Sequence, residues 1–159
     1  MNVALHGMEP AAGIRHRRCG DNTAETERGS PALVRYADDY VALCHSREQT
    51  ENIKQQQSTW LTQRGLAHNT DKTQITPTTT GFNFLGCNAR RYPCGKLLIK
   101  PSKTTITQIK RRLAEEIRSL RGATPGAIIG RLNPITTRWA AYHRGTVSTQ
   151  TFHTLDHSL

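Results

Sequence analysis

Two adjacent carboxylates, Asp38 and Asp39, are the side chains of this sequence best suited to chemistry. Strands disfavour aspartate, and neighbouring carboxylates repel unless a cation neutralises them. Oxygen donors at a turn suit Mg²⁺, which takes one or two carboxylates and completes its shell with water and substrate phosphates. Ions held this way activate a hydroxyl and stabilise a leaving pyrophosphate in phosphoryl transfer. A polar turn with two solvated acids is the plainer alternative, and the flanking residues shift the balance away from it. The thiols suggest less. Cys19, Cys44, Cys87 and Cys94 are too few and too scattered for a disulfide scaffold, and without C-x-x-C spacing to hold zinc they read as structural or incidental thiols in a reducing compartment.

The elements that must position the acids can be read outward from them. The β-type runs Ala32-Leu33-Val34-Arg35-Tyr36 and Tyr40-Val41-Ala42-Leu43-Cys44 predict a hairpin with both acids at its tip. Before it, residues 1–13 read as the end of a helix, with Val3, Leu5 and Met8 apolar, and residues 15–32 as a loop. After it, Ser46 with Gln49 three residues on predicts a capped helix, with Ile53, Trp60 and Leu61 on one face and Gly65 at its end. Phe82, Phe84 and Leu85 lie between Gly81 and Gly86, and a second hairpin turns at Pro93-Cys94-Gly95 and returns through Leu97-Leu98-Ile99. From Ser102 the period becomes helical: Ile106, Ile109, Leu113, Ile117 and Leu120 form a buried stripe, and Gly122 stops it. Thr124 and Pro125 start another helix, which Asn133-Pro134 should break before a third from about Ile135 to Tyr142. The fold class is α+β, with the division 1–95 and 96–159. No internal repeat is visible.

Charge separates the two parts. Of 159 residues, Lys and Arg supply 22 and Asp and Glu 12, a net charge of +10. Residues 1–95 carry 11 basic and 9 acidic side chains, whereas residues 96–159 carry 11 and 3. A basic segment with helical spacing favours a polyanion, nucleic acid first, over a merely solvated face. No run approaches the roughly 18 apolar residues of a membrane span, and no signal pattern opens the chain. Trp139 and Tyr142, three apart in a helix, read as core rather than as base-stacking residues. His143 beside Arg144 adds positive charge at most.

Tyr36-Ala37-Asp38-Asp39 resembles the polymerase signature of reverse transcriptases. The likeness continues through Gly65-Leu66-Ala67-His68-Asn69-Thr70-Asp71-Lys72-Thr73 and Gly81-Phe82-Asn83-Phe84-Leu85-Gly86. Residues 97–153 look like the maturase-specific thumb of group II intron proteins, above all Leu132-Asn133-Pro134-Ile135 and Trp139-Ala140-Ala141-Tyr142-His143-Arg144. The sequence thus resembles a group II intron-encoded reverse transcriptase/maturase over nearly all its length, in the expected order.

The resemblance implies a partial polymerase palm, an antiparallel sheet with packed helices, over 1–95, followed by a small helical thumb. Asp38 and Asp39 would be the catalytic, Mg²⁺-binding carboxylates, with Tyr36 and Ala37 near the primer terminus or incoming nucleotide. Lys72 would stabilise the departing phosphates or donate a proton, unless it only forms a salt bridge to Asp71 or a neighbour. The RNA-binding set is Lys100, Lys103, Lys110, Arg111, Arg112, Arg118, Arg121 and Arg131. Implied partners are group II intron RNA, an RNA template and a DNA primer, in a cytoplasmic ribonucleoprotein, or an organellar one in a eukaryote. The family also carries a third essential aspartate and a Gly-rich block before the point where this sequence starts. The expectation is therefore an internal piece, polymerase-inactive by itself unless a separate chain supplies the missing palm and fingers. An RNA-binding splicing module without catalysis and a vestigial fragment stand as alternatives.

Overall fold

The structure is a computed structural model that describes residues 5–18, 24–27 and 29–157. The expectations for Val3 and Cys19 lie outside the described residues. The chain divides into two compact units, residues 1–75 and 76–159. This break comes earlier than the 95/96 division read from charge and resemblance, because the three-stranded sheet clusters with the helices that follow it.

In the first unit, α1 (Met8–Ala11) is one short turn entered through Gly7 at φ 88°, a conformation open to glycine at little steric cost. The region expected to be a loop instead contains two antiparallel strands, β1 (His16–Arg18) and β2 (Ala24–Thr26). Three-residue strands leave too little alternation for a period-2 pattern to register. β3 (Ala32–Tyr36) and β4 (Asp39–Leu43) then form the expected hairpin, with Val34 opposite Val41 and Tyr36 opposite Asp39. One face packs inward, where Leu33, Ala42 and Cys44 meet Ala12, Ile14 and Ile53. α2 (Arg47–Thr62) supplies Ile53 and Leu61 to the buried side. Its cap is as expected: Ser46 Oγ accepts from the Gln49 N–H at 3.1 Å, and Gln49 Oε1 accepts from the His45 N–H at 2.9 Å. Gln57 is fully buried, and its Nε2 donates to the Met8 carbonyl at 2.9 Å, which ties α1 to α2. Trp60 is only half-buried, beneath the Arg64 guanidinium 3.7 Å from its ring centre.

The second unit opens with β5 (Phe82–Phe84), β6 (Cys87–Arg91) and β7 (Leu97–Pro101), an antiparallel sheet in that order. Leu85 and Gly86 form the tight β5–β6 turn with φ of 48° and 75°, the pair of positive values that a type I′ hairpin needs. α3 (Lys103–Ser119) starts at Ser102, whose Oγ accepts from the Thr105 N–H at 3.2 Å. Ile109 and Leu113 of its stripe pack with Leu155, Leu132, Ile135 and Trp139.

α4 (Pro125–His143) corrects the expected break, since one 19-residue helix runs through Asn133 and Pro134. Proline removes one ladder bond and crowds the carbonyl four residues back. The burial of Leu132, Ile135 and Trp139 against α3 outweighs the local penalty. α5 (Thr149–Asp156), which the sequence reading did not anticipate, adds Leu155 to the same core.

Candidate functional site

The hairpin tip is built by a two-residue turn, Ala37 and Asp38, closed by the Tyr36–Asp39 pair. Of the two, only Ala37 takes a positive φ, 54°. That is the pattern of a type II′ turn, whose first central position normally belongs to glycine. The Arg35 guanidinium makes a long contact of 3.4 Å to the Ala37 carbonyl. Asp38, Asp39, Ala37 and Tyr36 are all exposed, Tyr36 at 66%. Two neighbouring carboxylates open to solvent fit a hard divalent cation that keeps several of its waters. Among the described residues no group of three His, Cys, Asp or Glu side chains is arranged to hold a metal. His153 and His157 stand four apart at the end of α5, both exposed, and belong to no such group.

Lys72 sits in the exposed loop after α2. Asn69 organises that loop: its Oδ1 accepts from the N–H groups of Asp71 and Lys72 at 3.0 and 3.2 Å, and its carbonyl from Thr73 Oγ1 at 2.8 Å. No ion pair engages Lys72 among the described residues, so the alternative salt bridge to Asp71 does not form. Nor does a hydrogen bond join Lys72 to Asp38 or Asp39. The link that does exist was not visible in the sequence. Tyr40, next to Asp39, hydrogen-bonds through its hydroxyl to His68 Nε2, with ring centres 6.0 Å apart. Burial raises the Tyr40 pKa, and burial with the nearby Lys54 charge lowers that of His68. Twenty-eight residues separate the two, and no periodicity marks either of them.

The basic set divides by geometry. At about 3.6 residues per turn, Lys103 and Lys110 fall on one flank of the Ile109–Leu113 stripe, Arg118 lies farther round on that side, and Arg121 follows in the turn after α3. Arg112 falls on the other. Lys103, Arg118 and Arg121 are exposed, Lys110 is half-buried, and none of the four has an acidic partner among the described residues. Arg111 lies 3.8 Å from Glu115, and Arg131 Nε donates to Glu116 at 2.9 Å, joining α4 to α3. Lys100 is drawn over the Tyr92 ring, 5.0 Å from its centre, with Arg90 5.5 Å from the same ring.

Two aromatic expectations part company. Trp139 is core, packed edge-on to Phe152 at 5.7 Å. Tyr142 is not: it is 60% exposed, and its hydroxyl donates to the Leu85 carbonyl at 2.8 Å. His143, expected to add charge, is buried with its Nδ1 3.8 Å from Cys87 Sγ. Burial lowers the His143 pKa and raises that of Cys87, so both are held neutral. Cys44, Cys87 and Cys94 are free thiols.

Among the described residues no helix is long and apolar enough to cross a membrane. A search of the curated proteins gives no match. Two family models do match, in chain order. Reverse transcriptase (RNA-dependent DNA polymerase) covers residues 10–89, and Group II intron, maturase-specific domain covers residues 106–159. The first spans the hairpin with Asp38 and Asp39, the Lys72 loop and β5. The second spans most of α3 and all of α4 and α5. The chain therefore belongs to the reverse transcriptase family, and its maturase-specific domain makes it a group II intron reverse transcriptase/maturase.

Proposed function

We propose that this chain binds structured RNA along one flank of α3. We also propose that its Asp38–Asp39 hairpin is the carboxylate pair of a Mg²⁺-dependent nucleotidyl-transfer centre. The observation that carries the first half is the set Lys103, Lys110 and Arg118 on one side of α3, with Arg121 just past its end, all without acidic partners among the described residues. Cations so placed are neutralised only by mobile ions or by a polyanion, and phosphate binding releases counterions. RNA helices are read chiefly through phosphates and 2′-hydroxyls, which a row of Lys and Arg suits. Intron RNA and template–primer nucleic acid are the partners that the family implies. The palm part would lie within 1–95 and the thumb within 96–159.

At the hairpin, Asp38 and Asp39 would hold Mg²⁺, which when bound offsets phosphate charge and favours loss of a proton from an attacking hydroxyl. Tyr36, opposite Asp39, and Ala37 would border the primer terminus or nucleotide. Lys72, unpaired and exposed, would meet the phosphates.

A filter-binding titration of a structured RNA at several salt concentrations tests the first half. Affinity should fall by about 0.7–0.9 log units per phosphate contact for each tenfold rise in salt. Changing Lys110, Arg118 and Arg121 together to Gln should flatten the slope by about 2–3 and leave α3 folded, since Gln keeps good helix propensity. The pair Arg112→Gln and Arg131→Gln should change it less. Equal slopes in all three proteins would refute the assignment. For the second half, Tb³⁺ luminescence sensitised by Tyr36 should show a Mg²⁺-displaceable signal. Asp38→Asn should abolish it, and an unchanged signal would reject the carboxylate role.

A further inference from the structure

The hairpin and the Lys72 loop belong to the same compact unit, yet among the described residues no ion pair joins Lys72 to either carboxylate. Among the described residues one side-chain hydrogen bond, Tyr40 to His68, spans the gap between their chain segments. Tyr40 follows Asp39 directly on β4, and His68 precedes Asn69, the residue whose side chain and carbonyl organise the Asp71–Thr73 turn. We propose that the Tyr40–His68 hydrogen bond is a positioning contact, which sets the Lys72 loop against the carboxylate-bearing strand. It rests on reading Asp38, Asp39 and Lys72 as parts of one site.

The geometry supports a directional contact rather than general packing. Both groups are half-buried, whereas Ala37, Asp38 and Asp39 on one side and Asn69, Asp71 and Lys72 on the other are exposed. The two exposed segments are thus anchored just beneath the surface, one residue from Asp39 and four from Lys72. In the tautomer with Nε2 unprotonated, the tyrosine hydroxyl donates to the imidazole; in the other, the Nε2–H donates to the hydroxyl oxygen. Burial disfavours the protonated imidazole, and the charge of Lys54 on α2 adds to this. Arg35, opposite Tyr40 in the hairpin, points its guanidinium toward the Ala37 carbonyl instead. On the loop itself Asp71 and Lys72 are the charged neighbours. Removing the bond leaves the hairpin ladder and α2 intact, so the loop is what should respond.

Hydrogen exchange on the full chain tests this, read amide by amide by NMR. In the wild type the N–H groups of Lys72 and Thr73, both bonded to the Asn69 carbonyl, should be protected. Tyr40→Phe keeps the ring and deletes the hydroxyl, and should speed their exchange by about three- to tenfold, the scale of one net hydrogen bond. His68→Ala should do the same. His68→Gln, whose amide oxygen can accept from the hydroxyl, should restore most of the protection, which a purely packing role would not predict. The amides of Ile53 and Leu61 in α2 report whether the unit stays folded. Unchanged protection of Lys72 and Thr73 in Tyr40→Phe would overturn the proposal. So would equal losses in His68→Gln and His68→Ala, or a loss spread equally over α2. The salt and Tb³⁺ titrations stand apart: their failure would reject the functional reading while leaving the exchange result to decide this contact.

Discussion

Ala37 shows how much one residue can carry at the hairpin tip. An L-residue held at φ 54° gives up about 1–2 kcal/mol in the left-handed region, which glycine escapes. Glycine in turn loses more chain entropy on folding, by about 0.5–1 kcal/mol. Ala37→Gly is therefore expected to stabilise the first unit modestly, by about 0.5 kcal/mol, in denaturant melts followed by Trp60 fluorescence. A loss of stability would mean that the Ala37 methyl makes contacts beyond the turn. Asp38 and Asp39 were legible as a pair at a hairpin tip from their adjacency together with the β-type runs on either side. Tyr40 and His68 were not, because a hydrogen bond across 28 residues leaves no local spacing to recognise. His143 misled for a related reason. Its neighbour Arg144 is exposed and its own ring is buried, a difference that depends on which face of α4 meets the sheet.

At the scale of elements, α3 followed its sequence pattern closely. A Ser cap, an apolar residue every three or four positions and a terminal glycine agree with one another, and the helix begins and ends where they indicate. Leu113 sits at the centre of that agreement with 1% of its surface exposed. Leu113→Ala should cost about 2–5 kcal/mol through lost burial and the cavity left behind. Ser102→Ala should cost about 1 kcal/mol by losing the cap. Thermal melts of the two variants, followed by near-ultraviolet signals of Trp139, check both values and their order. A smaller loss for Leu113 than for Ser102 would contradict the core assignment. α4 did not follow its pattern, since proline reads as a stop in a one-dimensional scan. Only the surface buried on both sides of Pro134 reveals why the helix continues.

For the whole molecule, charge and protonation act together. His68 in one unit and His143 in the other are both held below the ordinary value of 6.5. As pH falls, the unfolded chain takes up these protons first. The stability that the neutral rings contribute is therefore present above pH 6.5 and is lost progressively below it. The net charge of +10 grows over the same range and adds self-repulsion. Urea midpoints should fall between about pH 7.5 and about pH 5.5, and added salt should restore part of the loss by screening. His143→Gln should flatten the pH dependence of the second unit. A midpoint that rises toward pH 5.5 would contradict the burial of both imidazoles in neutral form.

By itself the sequence determined the elements whose information is local: the Asp38–Asp39 hairpin, the capped helices α2 and α3, and the basic character of residues 96–159. Hydrophobic period, capping and turn residues act over a few positions, so they can be read along the chain. The resemblance in ordered blocks supplied the family, which the two matches bear out. Only the tertiary structure decided that Arg131 meets Glu116, because that pair forms where α4 packs on α3, whereas Arg111 and Glu115 stand four apart on one helix. It also decided that Tyr142, read like Trp139 as core, instead reaches out to the β5–β6 turn. Burial and pairing are properties of surfaces brought together from distant positions, and those surfaces exist only once the chain has folded.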